Sequence, residues 1–418
     1  MQRGIPKCPE TIEGPAAIIQ RRAADRIRAG HLWVYKSDVQ ELIPVEGQEA
    51  LAPGSLITVV DGRGIPLGSA LYSDASQISL RMVSGESGLT REGYLAGARE
   101  RLGVALALRR ELAPESAESN ACRLVFSEAD GLPGVVIDRY RELAVVQLLT
   151  QGTAQDDLRR VIVEVLSEQL PLETIVERPD PRVRELERLA APSGEPLLAK
   201  GAAELATVFT INGLRFHFDA NAGQKTGAFL DQRLNYPAAA RYAKGRALDV
   251  CTYQGGFALH LAQRCERVTG VDASRSALEV ADRNRELNPD LAAQVDWIVA
   301  DAFELLREYE ATGRRYDTIV LDPPAFAKTK RAAEGAMRGY KELNLRALKM
   351  LPAGGTLVTC SCSHHVALEE FTSAIAAAAA DAGRRVQVLE VRGAAPDHPA
   401  VLTLPETSYL KCLICRVG

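Results

Sequence analysis

No run in the 418-residue chain approaches the roughly 20 apolar residues that a membrane-spanning helix needs. The alanine-rich "AIAAAA" beginning at Ala374 is too short and predicts a packed helix. The N-terminus lacks the apolar core and cleavage site of a secretory signal. Cysteine is sparse, with eight thiols scattered over the chain. That excludes a disulfide scaffold and predicts reduced thiols in the cytoplasm, with no membrane partner. An excess of one charge is also missing. Lys and Arg total 50 against 54 for Asp and Glu, a net charge of -4, which excludes a uniformly basic nucleic-acid coat. Local basic patches remain open. Internal repeats and low-complexity segments are absent. The length predicts two or three domains, and 46% hydrophobic with 25% charged residues predicts globular ones.

Three segments differ in pattern. Residues 1–88 read as short strands with turn punctuation, including two strands around Asp61-Gly62, and predict a small β-barrel-like module. Near its start, Arg21, Arg22, Arg26, Arg28 and Lys36 face only Asp25 between residues 21 and 36, a local charge of +4. His31, Trp33 and Tyr35 are interleaved with that charge. The arrangement suits RNA, and equally a solvated amphipathic helix followed by a core Trp. Residues 89–205 read as a central α+β unit. From 206 to 418, strands and helices alternate with short loops, which predicts an α/β domain with a doubly wound sheet. At the tail, "RRVQVLEVRG" and "SYLKCLICRVG" predict a terminal hairpin-like pair instead.

In open α/β sheets the ligand lies beyond the carboxyl ends of the strands. Four successive strands end on Asp249, Asp272, Asp301 and Asp322. Single acids at such places cap helices; four in register point to a ligand. The loop "DVCTYQGGFALHLA" carries Gly255 and Gly256, expected to let backbone approach that ligand. It fails as G-x-G-x-x-G, because Cys251 and Tyr253 stand where glycines belong. A pyrophosphate is therefore disfavoured. S-adenosylmethionine, with a sulfonium cation and no phosphate, suits an acidic crevice. Asp272 suits the ribose hydroxyls and Asp301 the adenine edge.

Taken together, "KTGAFLDQR", "YQGGF", "GVDASRSALEVADRN", "LDPPAF", "RGYKELN" and "TCSCS" resemble the bacterial 23S ribosomal RNA cytosine-5 methyltransferase family over nearly the whole chain. "GHLWVYKSDV" is similar to the opening of that family's PUA domain. Gln254 and Ala325 depart from the family pattern, where Thr or Ser and Lys are expected. The resemblance implies a PUA domain, a central α+β domain and a class I (Rossmann-like) methyltransferase domain. It implies a cofactor set of Asp249, Cys251, Tyr253, Gly255, Gly256, Phe257, Asp272, Ser274 and Asp301. Lys225, Thr226, Gly227, Phe229 and Gln232 would lie over the methionine end or the target base.

Carbon 5 of cytosine is a poor nucleophile, and a thiolate adding to carbon 6 activates it. "TCSCSHH" supplies Cys360 and Cys362 at the end of the strand expected beside Asp322. If the strand persists, both thiols point the same way. Cys362 matches the family's nucleophile; Cys360 is expected in the core. Zinc binding by these cysteines, His364, His365, Cys412 and Cys415 is disfavoured, because the spacing of Cys412 and Cys415 sends them to opposite faces, so no metal is expected. Asp322 would grip the cytosine edge, Pro323 and Pro324 would stiffen the backbone, and Phe326 would line the slot. From residue 323 to 341, Lys328, Lys330, Arg331, Arg338 and Lys341 face only Glu334, again +4, which suits phosphate. The RNA-contact set is thus Arg22, Arg26, His31, Trp33, Pro323, Pro324, Phe326, Lys328, Lys330, Arg331 and Arg338. The expected partner is ribosomal RNA, naked or in a precursor particle, and a homodimer is compatible with the pattern. Two other readings compete: an exocyclic-amine methyltransferase on adenine or guanine, and a non-catalytic RNA-binding assembly factor.

Overall fold

The β/α alternation from Arg246 onward folds, in the computed structural model, into one seven-stranded sheet; residues 14–178, 180–221, 227–326 and 333–418 are described. Its order is Gln294–Val299, Arg267–Asp272, Arg246–Val250, Thr318–Leu321, Gly355–Ser361, Lys411–Val417 and Val386–Arg392. The first five are parallel, and Lys411–Val417 runs antiparallel to both its neighbours. Strands so covered read as near-continuous apolar runs. Leu248, Ile319, Leu321, Leu357 and Leu413 pack on one face against the helices Ala302–Ala311, Ala333–Met350 and Leu368–Asp381. Ala247, Val320, Val358, Cys360 and Cys412 take the other face. Cys415 falls in the first group and Cys412 in the second. The direction of winding reverses between Arg246–Val250 and Thr318–Leu321, which opens the crevice where such sheets hold ligands.

The tail forms the expected antiparallel pair and adds a second partner. Its two strands do pair antiparallel, but Lys411–Val417 inserts beside the Cys360 strand and pushes Val386–Arg392 to the edge. Burial explains the choice. "KCLICRV" is buried on both faces, whereas Val388, Leu389 and Val391 stay exposed.

Ahead of this sheet lie a six-stranded sheet from Ala16–Ile19 to Ile78–Ser84 and a five-stranded sheet from Ala121–Phe126 to Leu198–Ala199. A hairpin absent from the sequence expectations, Ala206–Ile211 with Leu214–Asp219, turns on Asn212 and Gly213 at φ 51° and 80°. Asn-Gly supplies these left-handed conformations at least cost. Its Phe218 stacks on Tyr140 of the five-stranded sheet at 4.1 Å, and its Phe216 lies over His260. The hairpin thereby ties the central sheet to the last one.

Buried charges make further ties. Arg109, 2% exposed, grips Asp130 with two bonds of 2.6 and 2.8 Å and donates to the Asp397 carbonyl. Asp397 also accepts from the Arg123 backbone and pairs with Arg233. The segment 393–410 between the last two strands is thus anchored to the central sheet.

Candidate active site

The turn after Arg246–Val250 is strained in a definite way. Cys251, Tyr253 and Gly255 have φ of 63°, 51° and 85°. Non-glycine residues hold such angles only where their surroundings over-determine them. Here Asp249 supplies one constraint: it is fully buried, and its Oδ2 accepts from the Thr252 hydroxyl and the Ala258 N–H. Its Oδ1 has no partner among the described residues. Burial, only partly offset by those two bonds, pushes this carboxyl up to about 7. Asp272 supplies the second constraint, accepting from the Tyr253 N–H at 2.9 Å and the Ser274 N–H at 2.8 Å. Asp301 caps the next helix, with Oδ1 taking both the Phe303 and Glu304 N–H groups. Capping therefore accounts for part of the acid series. It leaves Asp249 Oδ1 and Asp301 Oδ2 outside the caps. An orphaned buried acid oxygen and a run of carboxylates fit the sulfonium, ammonium and hydroxyl groups of S-adenosylmethionine.

The glycines also have a packing reason. A Cβ on Gly256 would meet the Tyr236 ring and hydroxyl at 2.6 Å, and one on Gly255 would reach Trp297 at 3.0 Å. Their small size serves packing within the protein. Phe257 is 3% exposed and packs edge-on against Tyr236, so it belongs to the core. Ser274 is the N-cap of Arg275–Glu286.

Upstream residues do meet this turn. The Tyr253 hydroxyl donates to the Gly227 carbonyl at 3.0 Å, and its ring lies 5.0 Å from that of Phe229. Gln232, 2% exposed, donates to Asp322 Oδ2 at 3.1 Å. Lys225, Thr226, Lys328, Lys330 and Arg331 lie outside the described residues.

Asp322 stands where the crevice opens. Burial, then the charges of Asp231 and Asp249, push its carboxyl up to about 8, against bonds from Gln232 and Cys360. At neutral pH it is therefore largely a neutral acid able to donate a proton. The strand Gly355–Ser361 ends just before Cys362, and the Cys362 thiol donates to the Pro323 carbonyl at 3.8 Å. Cys360 is fully buried beside Cys412, which with burial holds its thiol protonated. Pro323 is buried and Pro324 exposed. Phe326 packs 4.9 Å from Tyr340 and 5.9 Å from Phe303, and Arg338 pairs with Glu334 on its own helix.

The N-terminal residues expected on RNA are largely engaged elsewhere. Asp38, two residues beyond the basic span, takes both Arg22 and Arg26. The Trp33 indole N–H donates to Glu128 at 2.8 Å, and Arg81 shares that carboxylate. His31 accepts from or donates to the Trp33 backbone. Trp33 thus faces the central unit, His31 lies 3.8 Å from Glu406 of the 393–410 segment, and Arg22 keeps an exposed side chain.

Sequence reasoning missed Asp231, Tyr340, Tyr409 and Lys411. The Tyr409 hydroxyl donates to Asp231, and the Tyr340 hydroxyl joins Ser361 and Ser363 at 2.9 Å each. Asp231 lies within the quoted "KTGAFLDQR" and could have been found there. Tyr340 likewise lies within the quoted "RGYKELN", whereas Tyr409 and Lys411 lie in "SYLKCLICRVG", which predicts only a strand.

Two family models match the chain: a PUA-like domain over residues 17–85 and an S-adenosylmethionine-dependent methyltransferase over residues 183–414. Ribosomal RNA large subunit methyltransferase I of Shewanella amazonensis is 38% identical over 391 residues, covering 93% of this chain and 95% of that one. The protein of the same name from Klebsiella pneumoniae strain 342 is 37% identical over 405 residues, 96% and 98% of the two chains. Among solved structures, SMU.776 complexed with SAH superposes with a TM-score of 0.79 at 19% identity, covering 96% of this chain and 99% of that one. That likeness supports the class I methyltransferase fold. With relatives matched almost end to end and a methyltransferase model spanning more than half its length, the chain belongs to the S-adenosylmethionine-dependent ribosomal RNA large subunit methyltransferase I family.

Proposed function

We propose that this protein methylates carbon 5 of a cytosine in 23S ribosomal RNA through a covalent adduct on Cys362. The observation that carries the proposal is the pairing of two groups at one crevice mouth. A half-buried thiol sits against the Pro323 carbonyl, and the neighbouring carboxyl, Asp322, is pushed up to about 8 by burial and by the charges of Asp231 and Asp249. Each group alone is ambiguous. Together they supply a nucleophile and an acid for one flat ring.

Cys362, as thiolate, forms a bond to carbon 6 of the cytosine. The electron pair moves toward N3, where Asp322 donates its proton, and carbon 5 becomes enamine-like. S-adenosylmethionine, when bound, supplies the electrophilic methyl group. Asp249, Asp272 and Asp301 would hold it, with Tyr253, Gly227 and Phe229 closing over the methionine end. A base takes the carbon 5 proton as the thiolate leaves carbon 6, and the N3 proton returns to Asp322, which restores the ring. Gln232 orients Asp322 throughout. An exocyclic-amine methyltransferase would leave the thiol without a task.

Residues 1–88 act in this reading as an RNA-recruiting PUA module, 89–205 as a spacer that fixes it, and 206–418 as the catalytic domain. Because the target base must leave its stack, unpaired or flipped RNA is the substrate form. RNA carrying 5-fluorocytosine tests the chemistry. Fluorine replaces the departing proton, so the wild type should form a stable adduct that maps to Cys362. Cys362→Ala should lose adduct and turnover while binding S-adenosylmethionine; Cys360→Ala should keep the adduct. A cross-link on Cys360, or 5-methylcytosine formed without either thiol, would overturn the assignment.

A further inference from the structure

Lys411 is a buried cation without a carboxylate. It opens the last strand opposite Ser361 and is 8% exposed. Its Nζ donates to the carbonyls of Ser363 at 2.8 Å and Tyr409 at 2.9 Å. None of the ion pairs among the described residues includes it. Two neutral carbonyls do not neutralise an ammonium, and a buried unpaired charge is costly. Holding two carbonyls needs only a neutral donor. The positive charge therefore calls for another explanation.

Ser363 directly follows Cys362, so the ammonium is fastened to the backbone that carries the thiol. We infer that Lys411 is a positioning residue that holds Cys362 as a thiolate, the form the adduct requires. This rests on the proposed role of Cys362. Two independent features agree with it. Burial lowers the Lys411 ammonium, while the charge of Cys362 is the leading influence in the opposite direction, ahead of Glu370. Among the described residues, the other cation acting on Tyr409, Arg123, is already paired with Asp138. Tyr409 donates to Asp231, Tyr340 is bound to Ser361 and Ser363, Asp322 is a neutral acid, and His364 lies against the Glu406 carbonyl and the Tyr409 ring. Lys411 owes its place to the insertion of the last strand beside Gly355–Ser361.

The test is the pH dependence of iodoacetamide alkylation, followed on the Cys362 peptide by mass spectrometry in the full-length protein. In Lys411→Met and Lys411→Gln the midpoint should move to higher pH. One unit of displacement slows alkylation at neutral pH about tenfold, with rates converging at high pH. Lys411→Arg should restore most of the wild-type profile. Thermal unfolding and S-adenosylmethionine binding check that each variant is folded. Should one neutral variant misfold, the other and Lys411→Arg still decide the matter. A profile in a folded neutral variant that superimposes on the wild type would overturn the inference. Failure of the parent reading looks different: Cys362→Ala would still methylate RNA, whatever Lys411 does to alkylation.

Discussion

Replacing Asp322 by asparagine separates the acid from its shape. Asparagine is a near-isostere of the neutral carboxyl and can still accept the Gln232 bond, but it has no acidic proton to give. With the native group near 8, about nine in ten molecules carry the proton at pH 7 and about one in ten at pH 9. Wild-type methyl transfer, followed with methyl-labelled S-adenosylmethionine and unmodified rRNA, should therefore fall along an alkaline limb centred near 8. Asp322→Asn should lose roughly 10²- to 10⁴-fold in rate, the usual worth of general acid–base catalysis. Its binding of S-adenosylmethionine should be retained. Asp231 contributes the first of the two charges that raise Asp322, so Asp231→Asn should move the limb to lower pH. Stability should move the other way from activity. The folded protein holds the Asp322 proton to about 8, and the unfolded chain releases it near 3.8. The stabilising share of this group is complete below about pH 4 and is lost as pH rises through 8. Asp322→Asn escapes that loss, so its melting temperature should gain on the wild type from pH 5 to about pH 8 and level off above it. Full activity in the variant, or an alkaline limb unmoved by Asp231→Asn, would refute the reasoning.

Asp272→Ala should weaken S-adenosylmethionine binding about 10- to 150-fold by calorimetry, because charge-assisted hydrogen bonds contribute roughly 1.5–3 kcal/mol. The same change frees the Tyr253 and Ser274 N–H groups, so the positive-φ turn should loosen with it. Gly256→Ala sets a methyl 2.6 Å from Tyr236 and should cost about 1–3 kcal/mol in denaturant titrations. Arg109→Leu strips Asp130 of both its guanidinium bonds and the Asp397 carbonyl of one. A loss of roughly 3–5 kcal/mol is expected, with a lowered unfolding midpoint as the readout.

Local pattern carried much of this protein into view before any fold was known. Alternating strands and helices, each short and apolar, predict a parallel sheet because only buried strands can do without polar faces. Acids at four strand ends, and Asp-Pro-Pro one strand away from a Cys-Ser-Cys, follow from the same one-dimensional order, since parallel strands deliver their carboxyl ends to one edge. The Asn212-Gly213 hairpin was equally legible in its alternation, though the reading passed over it. Partnership across distance was not legible. Trp33 and His31 looked like an RNA platform because sequence shows their charged neighbours and hides Glu128. The packing of Gly255 and Gly256 against Trp297 and Tyr236 was equally hidden. The last strand looked like half of a terminal hairpin, because pairing order depends on which strand has more apolar surface to cover. Only that insertion brings Lys411 and Tyr409 to Cys362. Only burial beside Asp231 and Asp249 makes Asp322 an acid at neutral pH. Charge and proton affinity at this site depend on distances between residues far apart in the chain, and those distances exist only after the sheet has closed.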